Sequence, residues 1–185
     1  MSFNEGKIIR KFSVQGRKVI FRYPKRTDAP GMLGYINSMI DERTFISKQK
    51  KATMAEERKW LKEKLENLRK GSEITICVEI DGRYAGSGHL RAKPYEGEKH
   101  VVNLGIGLLK DFRDLGIGSM LLETMEKIAK GLMKANIIEL DCFSINSRGL
   151  HVYRKSGYAE AGRIPGAINH YGKHCDKVIM FKVLK

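Results

Sequence analysis

Arg113-Asp114-Leu115-Gly116-Ile117-Gly118-Ser119 is an R-x-x-G-x-G turn, set between a run that reads as a strand and a run that reads as an amphipathic helix. Glycines let a backbone approach a ligand closely. The free N–H groups of a first helical turn point at negative charge, and the helix dipole assists them. The stretch therefore reads as an anion cradle at a strand-to-helix junction. Two common anion sites are excluded. Gly116 and Gly118 begin the dinucleotide fingerprint G-x-G-x-x-G, but position 121 is Leu121; Gly105 and Gly107 begin another, but position 110 is Lys110. No G-x-x-x-x-G-K-[ST] string occurs. What remains is a pyrophosphate-sized site made of backbone amides, with no dedicated lysine or Mg²⁺ ligand.

Downstream of the cradle, Gly116 to Ala135 carries Ile117, Leu121, Met125, Ile128 and Leu132 on one face and predicts the longest helix. Ile137 to Phe143 predicts a strand. Ser147 to Ser156 predicts a short helix with Asn146 as N-cap and Gly157 at C′. Tyr158 to Ile164 and Lys177 to Val183 predict two last strands around a Gly/His-containing loop.

Upstream, His100 to Leu109 predicts a strand whose Gly105 and Gly107 mark a bulge or a close backbone approach. Ser72 to Ile80 and Arg83 to Ala92 are strands joined by the hairpin signal Asp81-Gly82. Ile8 to Phe12 and Lys18 to Tyr23 form another pair around Gln15-Gly16. Gly31 to Ile40 has helical spacing, and Thr53-Met54-Ala55-Glu56 is a capping box opening a further helix that ends near Gly71. Trp60 beside that helix's apolar stripe reads as packing. Antiparallel hairpins followed by helices predict one α/β domain with a mixed sheet.

Size and composition agree. A chain of 185 residues with 42% hydrophobic and 30% charged residues fits a single globular domain. No apolar run approaches the roughly 18–20 residues of a membrane helix, and the N-terminus lacks the apolar core of a signal peptide. Three widely spaced cysteines, Cys77, Cys142 and Cys175, argue for a reducing, cytoplasmic setting. The net charge of +14 reads as a solvated Lys-rich surface. No tract interleaves basic and aromatic residues as a nucleic-acid surface would, so neither nucleic acid nor membrane is expected as a partner.

The cradle, then Asn146 and Tyr153-Arg154-Lys155-Ser156-Gly157-Tyr158, resembles the GNAT superfamily of N-acetyltransferases. The second block resembles that family's N-x-x-A-x-x-x-Y-x-K-x-G-[FY], with Gly149 in place of Ala. The resemblance spans residues 18–183, which makes 1–17 an N-terminal extension supplying an extra strand and 18–185 the acetyltransferase domain. Ala161-Gly162-Arg163, Gly172-Lys173, Asp176 and Met180 resemble the phosphinothricin and amino-acid acetyltransferase branch.

The resemblance implies a mixed, mostly antiparallel sheet splayed at the cofactor site, acetyl-CoA as donor, no metal, and a primary amine as acceptor. A small molecule such as an amino acid is the first acceptor class and a peptide N-terminus the second; a non-catalytic CoA-binding module is a third reading. A homodimer is compatible with it. The pyrophosphate would lie on the N–H groups of Arg113 to Ser119. Leu108 and Leu109 would offer backbone groups to pantetheine, Asn146 would bond its amide, and Tyr153 would protonate the departing thiolate. Many relatives carry a Glu base ten residues before the Arg; here that position is Asn103, which cannot take a proton. A water chain, solvent, Glu79, His89 and His100 stand as alternatives. His170-x-x-x-His174-Cys175 has metal-like spacing but reads as a loop bordering the acceptor site, with His174 and Asp176 as substrate-binding candidates.

Overall fold

Two-residue turns in left-handed backbone organise the first half of the chain. In the computed structural model, which describes residues 4–184, β1 (Ile8–Val14) returns as β2 (Arg17–Arg22) through Gln15-Gly16, at φ 49° and 78°. Met1–Phe3 of the expected extension, and Lys185, lie outside the described residues. A 3₁₀ turn, Arg26–Asp28, leads into α1 (Ala29–Asp41), which starts with Pro30 in its first turn, where the missing N–H costs nothing. The capping box forms: the Thr53 side chain accepts from the Glu56 N–H, and Gly71 at φ 70° closes α2 (Met54–Lys70). β3 (Glu73–Ile80) and β4 (Arg83–Ala92) follow, turned at Asp81-Gly82.

β5 (Val101–Leu108), α3 (Ile117–Gly131) and β6 (Ile137–Phe143) make a crossover, the form of connection a parallel pair requires. α4 (Ser147–Lys155) precedes β7 (Ala159–His170) and β8 (Lys173–Val183). The eight strands run in the order β1-β2-β3-β4-β5-β6-β8-β7, and each neighbouring pair is antiparallel except β5 with β6. The domain is thus α/β with a mixed, mostly antiparallel open sheet.

The last hairpin differs from the expectation. Residues 165–176 are not a loop: β7 and β8 continue to a two-residue turn at Tyr171-Gly172, with φ 51° and 86°. Tyrosine is an uncommon residue at that φ. Here the Asn169 side chain accepts the Gly172 N–H at 2.8 Å and the Tyr171 hydroxyl donates to Ile40 O at 3.1 Å. α3 also stops four residues earlier than its periodicity suggests, because Met133 and Ala135 turn their N–H groups to Ile128 O and Ala129 O.

The main core joins β2–β6 and β8 to α3, with Phe21, Ile76, Leu90, Leu121, Met125 and Ile138 fully buried. Gly88 of β4 lets α3 settle onto the sheet: a Cβ there would stand 3.0 Å from Met125 Sδ. The neighbouring Ser87 and His89 face the opposite side, where α1 and α2 pack.

Parallel pairing of β5 with β6 covers only Val101↔Ile137 to Asn103↔Glu139. Beyond it β5 stays with β4 as far as Leu108, while β6 stays with β8 as far as Phe143. A wedge opens between them, and the turn quoted above lies beyond its β5 edge.

Candidate functional site

The first helical bond of α3 runs from Met120 N–H to Gly116 O at 3.2 Å. No backbone carbonyl among the described residues accepts from the N–H groups of Asp114 to Ser119. Gly116 sits at φ 76° and Asp114 at φ 62°, so the chain reverses tightly before the helix begins. The turn is an open cradle of donors.

The Arg113 side chain is engaged away from that cradle. Its Nε donates to Leu108 O at 2.9 Å and its Nη2 to Glu42 Oε2 at 2.7 Å, with Nη1 on the other Glu42 oxygen. The guanidinium clasps the end of β5 to the end of α1. The cations bordering this cleft are instead Arg43 and Arg148, and Arg148 Nη2 lies 3.1 Å from the Asp114 carboxylate. Neither was legible as a site residue, since each is one basic residue among 35.

The wedge has a defined hydrogen-bonding phase. Leu109 N–H donates to Ala85 O at 2.8 Å, on the β4 side. Strand groups alternate direction, so Ile106 and Leu108 turn theirs into the wedge and Leu109 does not. The Leu109 N–H is therefore spent on the sheet, whereas that of Ile106 is turned into the wedge. Gly105 and Gly107 make no bulge, for the ladder with β4 is continuous. Gly107 does mark a close approach: a Cβ on it would be 2.3 Å from the Tyr35 hydroxyl.

Across the wedge, Asn146 Oδ1 accepts the Gly149 N–H at 3.0 Å and caps α4. Gly149 leaves room for that cap: a Cβ would stand 2.5 Å from Asn146 Nδ2, and the amide would have to shift to admit it. Tyr153, two turns on, is 8% exposed and lines the same cleft of about 520 Å³. Burial, reinforced by Cys142, lifts its phenol well above the ordinary range, so its proton stays in place at neutral pH.

A second cleft of about 510 Å³ lies on the other side of β5 and shares Ile46, Ile106 and Gly107 with the first. Tyr35, Glu57, Trp60, Tyr84, Ser87 and His89 line it. His89 Nδ1 lies 3.1 Å from Thr75 Oγ1 and its Nε2 3.1 Å from Ser87 Oγ. Burial, with Lys64 adding to it, pushes the imidazole down to about 4, so it is neutral. Trp60 is wall as well as packing: its ring meets His89 edge-on at 5.6 Å, and Lys64 Nζ lies 4.9 Å from its centroid. Burial raises the Tyr35 phenol to about 12.

The remaining candidates stand outside both clefts. Asn103 is exposed between Arg91 and Glu139. Glu79 is bound to Arg22 at 3.0 Å, and His100 is exposed. His174 and Asp176 both hold Gly166, through its carbonyl and its N–H, each at 3.1 Å. They fix the irregular middle of β7, where the register shifts between Ile164 and Ile168. His170 reaches Arg43 O at 3.0 Å and so ties the hairpin tip to the loop between α1 and α2. No group of three or more His, Cys, Asp or Glu among the described residues could hold a metal ion. Tyr35 and Glu57 escaped the sequence reading; the signal for Tyr35 was its place on the Met32/Met39 stripe of α1.

The acetyltransferase (GNAT) family matches residues 39–158 of the chain. An L-methionine sulfoximine/L-methionine sulfone acetyltransferase of Pseudomonas aeruginosa is 25% identical over 157 residues, covering 83% of this chain and 87% of that one. A solved structure of a putative phosphinothricin N-acetyltransferase superposes with a TM-score of 0.79 at 22% identity, over 90% of this chain and 99% of that one. A ribosomal L7/L12 α-N-protein acetyltransferase in complex with coenzyme A superposes with a TM-score of 0.83 at 16% identity, over 96% and 98%.

Proposed function

The chain belongs to the GNAT family and is an N-acetyltransferase, and from that premise we propose that it carries acetyl from acetyl-CoA to the primary amine of a small, amino-acid-like acceptor. The observation that carries this reading is the meeting of two clefts at Ile46, Ile106 and Gly107. One has the size of a cofactor arm and ends in a cradle of N–H donors. The other, of about 510 Å³, is walled by α1, the loop after it, α2 and β4, and suits a small ligand.

In this reading the CoA pyrophosphate rests on the N–H groups of Asp114 to Ser119, with Arg43 and Arg148 beside it. Pantetheine lies in the wedge as an added strand against Ile106 and Leu108, with Asn146 opposite. The thioester then sits at the junction, where a β5 N–H faces the carbonyl oxygen as charge develops on it. Tyr153, held protonated, supplies the proton to the leaving thiolate. Support for an amino-acid acceptor comes from the Pseudomonas relative, whose name gives methionine sulfoximine and sulfone. A protein N-terminus is the second reading, and its support is the likeness to the ribosomal-protein enzyme.

Thiol release from acetyl-CoA, followed with amino acids, methionine sulfoximine, polyamines and N-terminal peptides, tests the proposal. Amino-acid-like amines should give the highest kcat/KM. Peptides leading the panel would transfer the reading to the protein class. Tight CoA binding with no amine turned over would overturn it.

A further inference from the structure

Three acidic side chains are buried among the described residues: Asp28, Glu57 and Glu73. Asp28 is held by Arg22 through two bonds of 2.7 and 2.8 Å, and Glu73 by Lys64 at 2.6 Å. Glu57 is 8% exposed, yet its carboxylate accepts no hydrogen bond and joins no ion pair among the described residues. It lines the second cleft. The Glu57 oxygens are not among the sealed, unbonded polar atoms of the described residues, so they open onto the cleft: a fold that pairs the other two leaves this carboxylate facing a cavity. Resting on the N-acetyltransferase reading above, we propose that Glu57 receives the acceptor's ammonium and takes its proton before attack.

The surrounding groups leave this role to no other residue. Tyr35 and Tyr84 are phenols that burial holds protonated, and His89 is neutral with both ring nitrogens on hydroxyl groups. Glu56, the other carboxylate of the cleft, accepts the Thr53 N–H at 2.8 Å in the capping box. Lys48, at the exposed rim, is a cation and repels an ammonium. Burial raises the Glu57 carboxyl above its ordinary value, Lys48 acts against that rise, and Glu56 adds to it. A raised carboxyl is a stronger base. Asn103, where relatives carry the base, is on a different element and outside both clefts; the first turn of α2 supplies the carboxylate instead.

The proton balance closes. The ammonium gives one proton to Glu57, leaving an amine. Its lone pair forms the C–N bond at the thioester carbon, the C–S pair leaves with sulfur, and Tyr153 protonates that sulfur. One of the two protons then on nitrogen passes to the Tyr153 phenolate and the other stays in the amide, while Glu57 releases its own to water. One proton is released per acetyl group moved.

Glu57→Gln tests this with the best amine of the panel. The acceptor KM should rise and kcat/KM fall by about 10²–10³-fold. The acetyl-CoA KM should stay within about twofold, and the acid limb of the kcat/KM profile should move from the carboxyl's range up to that of the amine's own ionisation. Glu57→Asp should recover part of the loss. The thermal midpoint of Glu57→Gln should equal or exceed that of the parent, since an unpaired buried charge is removed; that separates lost chemistry from lost fold. Parental kcat/KM with the acid limb intact would overturn the proposal alone. A parent that binds CoA but acetylates no amine would overturn the underlying reading, and this inference with it.

Discussion

Tyr153 and Asn146 face the same cleft from one short helix, and each is prepared by its neighbours. Burial keeps the Tyr153 proton on the ring. Gly149 leaves room for the Asn146 amide to fold over the first turn of α4. Both residues stand out in the sequence because the family resemblance places them at a set spacing within one short helix. Tyr153→Phe keeps the ring and removes only the proton donor. Its kcat should fall by about 10²–10³-fold with the KM for acetyl-CoA nearly unchanged, read from initial rates. Unchanged kcat would remove Tyr153 from the reaction. Tyr35 and Glu57 were not legible in this way. Nothing local distinguishes a cleft-facing carboxylate from its neighbour Glu56, which merely caps its own helix.

Among elements, the β5–turn–α3 unit was the most readable, since a backbone cradle needs only glycines at set intervals and a helix to follow. Gly116→Glu places a side chain at φ 76° and a carboxylate against the anion. The strain should cost about 1–3 kcal/mol in urea unfolding, while CoA binding measured by calorimetry should be lost; retained binding would refute the cradle. The β7–β8 hairpin was half read. Asp81-Gly82 and Gln15-Gly16 carry a turn signal of their own, whereas Tyr171-Gly172 turns with help from Asn169 and from Ile40 O on α1, contacts invisible in a local window. Gly162, Pro165 and Gly166, together with two register shifts, also mask the alternation of β7. As a result the hairpin tip grips the loop after α1, and His174 and Asp176 both bond Gly166 of β7.

At the scale of the whole molecule, buried charge is concentrated at one end of the sheet. Arg22 binds Asp28 and Glu79, and Lys64 binds Glu73. Lys64→Met would leave Glu73 with only Asn67 and the half-exposed Arg91 and should cost about 3 kcal/mol or more by urea unfolding at neutral pH. Acid should act on the same region. His89 is near 4 in the folded protein against an ordinary 6.5, so between those values the unfolded chain binds the extra proton. Stability is therefore complete above pH 6.5 and falls toward pH 4, by up to about 3 kcal/mol from this residue. Burial alone would raise Glu73, but Lys64 outweighs it and the carboxyl lies below its ordinary 4.5, which adds a further loss at lower pH. Glu57, raised, opposes both. Urea midpoints from pH 7 to pH 4 should show the decline, and His89→Gln should flatten its upper part; an unaltered slope would show that another group carries it.

The sequence by itself determined the local elements and the turn that opens α3. Helix periods, caps, two-residue turns and the Arg113–Ser119 cradle act over a few residues, so their physics is complete within the segment that carries them. Tertiary structure alone decided the second cleft. The wedge exists because β5 and β6 follow different neighbours after three paired residues, and the second cleft joins α1, α2 and β4 from Met32 to His89. Which carboxylate finds a cation and which is left facing a cavity depends on packing between those distant segments. That is why Arg113 and Asp176 proved to be clasps, and why Glu57 was found only in the folded molecule.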